Sequence, residues 1–136
     1  MAFGIKEKVQ LIFNITDDDY TNGVADVFAD LKTMEFLKAH DLLDFDYSYE
    51  EGPTVKEFYD FLKKYEDKDI RLHLFIINPI RDDFRIGVKG ILASTEYTTM
   101  EGFNQDFYFD FLTFCQKGDS HFYDEDNDYF GFYWFD

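Results

Sequence analysis

Several residue types and motifs that would narrow the function are scarce in this sequence or missing from it. The only cysteine among the 136 residues, Cys115, cannot form an internal disulfide, and its aromatic neighbours predict a buried, reduced thiol. There is no Gly-x-Gly-x-x-Gly, no Walker loop, no His-Glu-x-x-His and no cysteine pair. These absences argue against the common nucleotide-dependent and zinc-dependent enzymes, so we expect no cofactor and no enzymatic activity.

Long hydrophobic runs are also missing. The apolar runs Leu74–Ile77 and Tyr129–Phe135 are far too short to span a membrane. The first residues contain neither an apolar signal-peptide region nor a myristoylation glycine. We therefore expect a cytoplasmic protein that does not contact a membrane.

No set of residues has the spacing of a known metal site. Asp124–Asp128 resembles the first positions of an EF-hand loop, but Tyr129 occupies the glycine position and Phe135 the position of the closing glutamate. The histidines are scattered, and His73 lies in a β-rich run, which predicts a half-buried strand residue. We therefore expect no metal. A hydrolase built on two carboxylates stays open, because one sequence cannot reveal such a pair.

The composition predicts one folded, strongly acidic domain. The chain has 29 acidic and 13 basic residues, a formal net charge of -16, yet 46% of its residues are hydrophobic and 21% aromatic. This is far more apolar material than a disordered acidic tail carries, and the length suffices for a core without metal or disulfides. We expect a single domain over residues 1–136.

The first third of the chain predicts a strand followed by a long helix. The run Lys8–Ile15 is rich in β-branched residues and precedes Thr16–Asp19, which resembles a helix start. Apolar residues from Tyr20 to Met34 recur at helical spacing, and the helix could continue to Leu42. Asp44–Glu51 then reads as a short strand or an extended loop.

The middle of the chain has the clearest local signals. Thr54 and Glu57 form a capping box ahead of an apolar stripe at helical spacing, which predicts a helix. Two β-rich runs, Ile70–Ile77 and Phe84–Leu92, are joined by a turn-forming segment and predict an antiparallel hairpin.

The last third repeats the order of helix and hairpin. Asn104 could cap a helix with Lys117 in its last turn, although Asp106–Phe111 also alternates like a strand; we favour the helix. His121–Phe135 has two aromatic runs around an acidic turn and predicts a second hairpin. The expected fold is an α+β domain, with two or three helices packed on an antiparallel sheet.

Negative charge is concentrated towards the C-terminus. After Lys89 the sequence has one base, Lys117, and ten acids. On a helix, pairs such as Asp26/Asp30 or Asp106/Asp110 would lie about 6 Å apart, and alternate acids of a strand about 6.6 Å apart. Such rows can imitate a phosphate backbone, although an acidic surface that only maintains solubility is an equally good interpretation.

The charge points to a basic protein as partner. Repulsion among like charges costs folding stability, which is tolerated more readily if a basic partner exploits it, and nucleases and nucleic-acid-binding effectors have basic clefts. The first hypothesis is an acidic inhibitor, an immunity protein that neutralises a bacterial nuclease toxin. The alternative is a phage-type DNA mimic that blocks a restriction, CRISPR or nucleoid protein. A housekeeping domain or hydrolase comes third.

Immunity ranks first because mimics should spread their charge widely, whereas bases are interspersed through the first two thirds of this chain. Direct binding of nucleic acid is not expected, because the chain has no basic stripe. The expected partner-binding residues are the acids of the last hairpin with their aromatic neighbours: Asp124, Glu125, Asp126, Asp128, Tyr129, Tyr133 and Trp134. A second candidate segment contributes Asp44, Asp46, Glu50 and Glu51.

Overall fold

The fold combines four helices with an antiparallel sheet in the part of the chain that is described. The computed structural model describes residues 4–116, 121–124 and 128–134, and only the backbone of 121–124. The helices are α1 (Ile5–Phe13), α2 (Leu31–Ala39), α3 (Val55–Lys64) and α4 (Gln105–Cys115). The strands are β1 (Val24–Ala29), β2 (Ile70–Ile77), β3 (Ile86–Ser94), β4 (His121–Asp124) and β5 (Tyr129–Tyr133).

The strands form one sheet in the order β1-β2-β3-β5-β4, and every neighbouring pair is antiparallel. Both predicted hairpins are present, as β2–β3 and β4–β5, and they join through β3 and β5. Each hairpin follows a helix, so the order of helix, strand and strand occurs twice. The predicted α+β class is confirmed.

The two best-defined helices begin where their capping residues predict. In α3 the backbone N–H of Glu57 donates to Thr54 Oγ1 at 3.1 Å, and the N–H of Thr54 donates to Glu57 Oε1 at 3.1 Å. In α4 the N–H of Phe107 donates to Asn104 Oδ1 at 2.9 Å. The helical interpretation of this segment is therefore confirmed, while Lys117, expected in the last turn, lies outside the described residues.

Aromatic rings fill the space between α3, α4 and one face of the sheet. Phe58 and Phe61 of α3 meet Phe114 of α4 at ring-centre distances of 5.2 and 4.8 Å. On β2, Leu72 and Leu74 are fully buried beneath them. Cys115 is also fully buried, as predicted. This apolar layer fixes which side of the sheet is the core.

The predicted N-terminal strand is wrong, because Lys8–Ile15 overlaps helix α1. Val9 is fully buried while Leu11 is exposed, and Val9, Ile12 and Phe13 follow helical spacing. The β-branched composition of the run was misleading. The helix start predicted at Thr16 is a capped 3₁₀ turn over Asp17–Asp19.

The predicted long helix over Tyr20–Met34 is wrong in its first half, which forms strand β1. Ala25 and Ala29 point to the core, whereas Phe28, between them on the opposite face, is 48% exposed. Asp30 then starts α2 by accepting a hydrogen bond from Thr33 N at 2.9 Å. Asp26 and Asp30 therefore do not share a helix. Asp44–Glu51 is a loop with turns, one of the two predicted alternatives.

Trp134 supplies a test of the core. Its side chain is 1% exposed, and its ring meets Phe58 edge-on at 5.4 Å. Trp134→Ala should lower the free energy of unfolding by about 3 to 5 kcal/mol, as for other buried large-to-small changes. Phe36→Ala, at a side chain 50% exposed, is the control and should change it by less than about 1 kcal/mol. Urea unfolding followed by circular dichroism measures both, since the variant has no tryptophan fluorescence. Equal losses would contradict this packing.

Candidate functional site

The acidic side chains lie at the surface wherever the structure describes them. Among the described residues no charged side chain is buried. This follows from the cost of removing an ionised carboxylate from water without a partner. Several carboxylates are partly neutralised by ion pairs, such as Lys56–Asp60 at 2.7 Å and Lys63–Glu35 at 2.8 Å. The acids are thus available to a partner, and their distribution decides where one could bind.

Asp128 and Tyr129 lie where β2, β3 and β5 meet at one end of the sheet. The N–H of Thr95 donates to the carbonyl of Asp128 at 2.7 Å, and the N–H of Ser94 donates to the carbonyl of Asp69 at 3.1 Å. These two bonds bring Asp69, distant in sequence, beside the last hairpin. The pairing of the strands therefore assembles carboxylates that the sequence separates.

Tyr129 is held by Arg71 of β2 and by Asp69, the residue just before β2. Its hydroxyl donates to Asp69 Oδ2 at 2.7 Å, and the guanidinium of Arg71 lies 4.4 Å from its ring centre. Burial and the bond to the Asp69 carboxylate raise the pKa of Tyr129 to about 12. The phenol therefore stays neutral at physiological pH and fixes the Asp69 carboxylate at the surface.

The start of α4 lies beside this corner. The hydroxyl of Tyr97 accepts a bond from Asp69 N at 2.6 Å, and the Tyr97 ring meets Phe107 of α4 edge-on at 5.1 Å. We call this region the acidic end. Its carboxylates belong to Asp67, Asp69, Glu96, Asp106, Asp110 and Asp128.

A shallow groove runs between α3 and α4 at the acidic end. It measures about 640 Å³, and its lining includes Asp67, Asp106 and Phe109. Asp110 is fixed by Lys64 Nζ at 2.8 Å and by the hydroxyl of Tyr65, and these contacts hold the pKa of its carboxyl below the usual value. Asp106 and Asp110 lie one turn apart on α4, as predicted. The groove thus presents oriented carboxylates beside an aromatic ring.

Large apolar side chains are exposed on α4 and in the segment just before it, and the sequence analysis did not predict them. Met100 is fully exposed, Phe103 is 47% exposed and Phe109 is 53% exposed. The signal was present for Phe109, because a helical stripe of Phe107 and Phe111 leaves residue 109 outside the core. Exposed aromatic side chains beside charge are typical of interface hot spots.

Two of the expected aromatic anchors are buried. Tyr133 is 7% exposed and Trp134 is 1% exposed. The ring of Tyr133 lies across Gly90, where an added Cβ would come within 2.6 Å of it. Packing against the sheet removes both side chains from the surface open to a partner. The expectation that they serve as anchors is therefore corrected, and Tyr129 is the aromatic residue of that set at the acidic end.

The second candidate segment lies at the other end of β5. All four of its acids are exposed, namely Asp44, Asp46, Glu50 and Glu51. The following residue, Gly52, lies against Trp134 just past the end of β5, about 20 Å from Asp128 at the usual strand rise. The structure therefore does not bring the two predicted acidic segments together. Glu125 and Asp126 lie outside the described residues, as does the side chain of Asp124.

His73 forms a polar cluster on the sheet face opposite the core. Its Nδ1 lies 3.1 Å from the Tyr133 hydroxyl, and its Nε2 lies 3.6 Å from Asp26 Oδ1. Asp26 is paired with Lys89 Nζ at 2.7 Å. Burial and the charge of Lys89 lower the pKa of His73 to about 4. The imidazole is neutral at pH 7, so its contact with Asp26 is not an ion pair.

Other reactive groups give little support for catalysis. Burial raises the pKa of the Cys115 thiol, which keeps it protonated and unreactive. Within the described ranges no group of three His, Cys, Asp or Glu side chains is arranged to hold a metal ion.

None of the helices in the described ranges is long and apolar enough to cross a membrane.

No protein-family model matches the chain, and no curated protein and no solved structure is significantly similar to it.

The low pKa of His73 predicts a pH dependence of stability. The unfolded imidazole titrates near pH 6.5, so between pH 6.5 and 4 protons bind the unfolded chain more tightly than the folded one. Stability that is fully present above pH 6.5 should be lost as the pH falls to 4, by up to about 3 kcal/mol. His73→Gln should remove this part of the pH dependence in urea unfolding, and His40→Gln, at an exposed site, should not. Parallel pH profiles for wild type and His73→Gln would contradict the burial of a neutral imidazole.

Proposed function

We propose that the protein is an acidic inhibitor that binds and blocks a basic protein through its acidic end. The main support for this proposal is that exposed carboxylates and an exposed large apolar side chain occur together at the acidic end. Phe109 lines the groove together with Asp67 and Asp106, and it is about half exposed. Within this class, an immunity protein that neutralises a nuclease toxin is the leading function.

Electrostatics supports a basic partner. Complementary charge accelerates the encounter of two proteins and fixes their relative orientation. At the acidic end the bonds from Tyr129 to Asp69 and from Tyr65 to Asp110 hold two carboxylates in place before binding. A preorganised carboxylate loses less conformational entropy when it pairs with Lys or Arg. The acidic end is therefore suited to contact a cleft that normally binds phosphates.

The exposed apolar side chains can contribute binding affinity that ion pairs alone do not provide. Surface ion pairs contribute little net affinity, whereas buried aromatic anchors dominate most interfaces. Phe103 and Phe109 could enter apolar pockets of the partner while the neighbouring acids contact its basic rim. This combination favours a specific protein partner over nonspecific attraction to cations.

A DNA mimic is the alternative, and the carboxylates of Asp106 and Asp110, one helical turn apart, favour it. Basic residues stand among the acids at the same end, including Lys64, Lys68 and Arg71. A mimic of a phosphate backbone should contain few such interruptions, so we rank immunity first. The hydrolase hypothesis comes last, because no observation singles out one pair of carboxylates as catalytic, and burial makes His73 a weak base and keeps the Cys115 thiol protonated.

Matched charge variants test the proposal. The first, Glu96→Gln/Asp106→Asn/Asp128→Asn, removes three charges from the acidic end. The second, Asp44→Asn/Asp46→Asn/Glu51→Gln, makes the same change in net charge at the other end of β5. Both keep shape and hydrogen-bonding capacity. The proteins are used as baits for affinity capture from the native host, and association rates with the captured protein are then measured across salt concentrations.

We expect a basic protein to be captured by the wild type and by the second variant. The first variant should bind it about tenfold more slowly at low salt and with a weaker salt dependence. A nuclease would support immunity, and a restriction, CRISPR or nucleoid protein would support mimicry. Capture of no basic protein, or equal effects of the two variants, would contradict binding through the acidic end.

The aromatic contribution is tested separately with Phe109→Ser. Ile80, in the turn between β2 and β3 at the other end of the sheet, is also an exposed apolar side chain, 72% against 53%, so Ile80→Ser is the control. We expect the first change to weaken binding of the captured protein by at least tenfold, about 1.4 kcal/mol, through faster dissociation. The control should leave affinity within about twofold. If both variants bind like the wild type, Phe109 is not an anchor.

A further inference from the structure

A groove between α1 and α2 differs in character from the acidic end. It measures about 390 Å³ and is lined by Leu11, Ile12, Lys32, Thr33, Phe36 and His40. Its apolar walls are open to water, since Leu11 is 66% exposed and Phe36 is 50% exposed. Clustered exposure of large apolar side chains is a common mark of an interaction surface.

Two lysines at this groove, Lys8 and Lys32, differ in their contacts from the other basic residues that the structure describes. Among the Lys and Arg side chains that the structure describes, Lys8 and Lys32 alone make neither an ion pair nor a cation–π contact. Lys32 lines the groove, and Lys8 lies one turn from Leu11 and Ile12 on the same face of α1. Among the described residues, no carboxylate lies within ion-pair distance of either ammonium group, although the charge of Lys32 contributes to lowering the pKa of the Asp30 carboxyl.

The nearby carboxylates are engaged elsewhere. Glu35 pairs with Lys63 at 2.8 Å, and Asp17 pairs with Lys6 at 3.0 Å. Asp30 caps α2 through Thr33 N at 2.9 Å. The carboxylate of Glu7 turns back to the start of α1, where a Cβ on Gly4 would lie 2.7 Å from it. The described lining of the groove therefore contains a lysine and a histidine and no carboxylate, although the protein carries a large negative charge.

We propose that this groove binds a segment of a partner polypeptide that presents large apolar side chains flanked by Asp or Glu. The apolar walls match the apolar side chains, while Lys8, Lys32 and His40 match the carboxylates. A small molecule would remain largely exposed between walls this open, whereas a polypeptide also covers the rim. The site is separate from the acidic end and does not depend on the function proposed there.

Long-range repulsion does not prevent this contact. The net charge of -16 repels an acidic segment at a distance. At physiological salt the repulsion is screened beyond about 8 Å, so the cations in contact with the segment decide the outcome. The interaction is therefore measured at 0.15 M salt.

Peptide titrations followed by ¹H–¹⁵N NMR test the proposal. The probe is the capped hexapeptide Asp-Glu-Leu-Phe-Asp-Glu, and its controls are Lys-Lys-Leu-Phe-Lys-Lys and Asp-Glu-Gly-Ser-Asp-Glu. We expect the probe to shift the amide signals of Thr33, Phe36 and His40, with a Kd of about 1 mM or below, as is usual for a short peptide. At the groove, followed by the signals of Thr33, Phe36 and His40, both controls should bind at least tenfold more weakly.

Two variants locate the site and one controls for net charge. Lys8→Glu/Lys32→Glu and Phe36→Ser should each weaken the probe at least tenfold. Lys56→Glu/Arg85→Glu changes the net charge by the same amount at exposed positions away from the groove and should have little effect. Equal binding of the acidic and basic Leu-Phe peptides at the groove would overturn the proposal, as would shifts caused by the acidic probe that map elsewhere. Binding to phosphatidylglycerol vesicles without binding of the probe would also overturn it, in favour of a membrane surface.

Discussion

The structure depends on aromatic packing between two helices and one face of the sheet. Phe58 and Phe61 of α3 interlock with Phe107 and Phe114 of α4 at ring-centre distances between 4.8 and 6.4 Å. A layer of this kind accepts no ionised carboxylate, because an unpaired charge there would lose its hydration without compensation. The described charges therefore lie outside it.

The sequence predicted the elements whose signals are local. The capping box of Thr54, the cap of Asn104 and the alternating runs of the hairpins each specify their element within a few residues. The prediction for residues 8–34 was wrong for a physical reason. Val24, Val27 and Phe28 stand at helical spacing, but the deciding interaction is the pairing of Val24–Ala29 with β2, some fifty residues later.

The candidate site could be predicted only in part. The acidic excess after Lys89 pointed to the corner where Asp128 and Tyr129 lie, yet Asp67 and Asp69 reach that corner only through the pairing of β2 with β3. Tyr133 and Trp134 were expected to be anchors because the sequence of an aromatic run does not indicate which of its side chains are buried. Phe109 was overlooked because an alternating pattern and a helix compete over Asp106–Phe111. Which carboxylates are fixed by tyrosine hydroxyls is a tertiary property that no local pattern specifies.

In the proposed complex the acidic end, and not the acidic loop Asp44–Glu51, contacts the basic partner. Hydrogen–deuterium exchange of the free protein and of its complex compares the two surfaces in one measurement. We expect new protection at Thr95–Thr98 and in the first turns of α4, with no change over Asp44–Glu51. Protection confined to Asp44–Glu51, with Thr95–Thr98 and α4 unchanged, would contradict it.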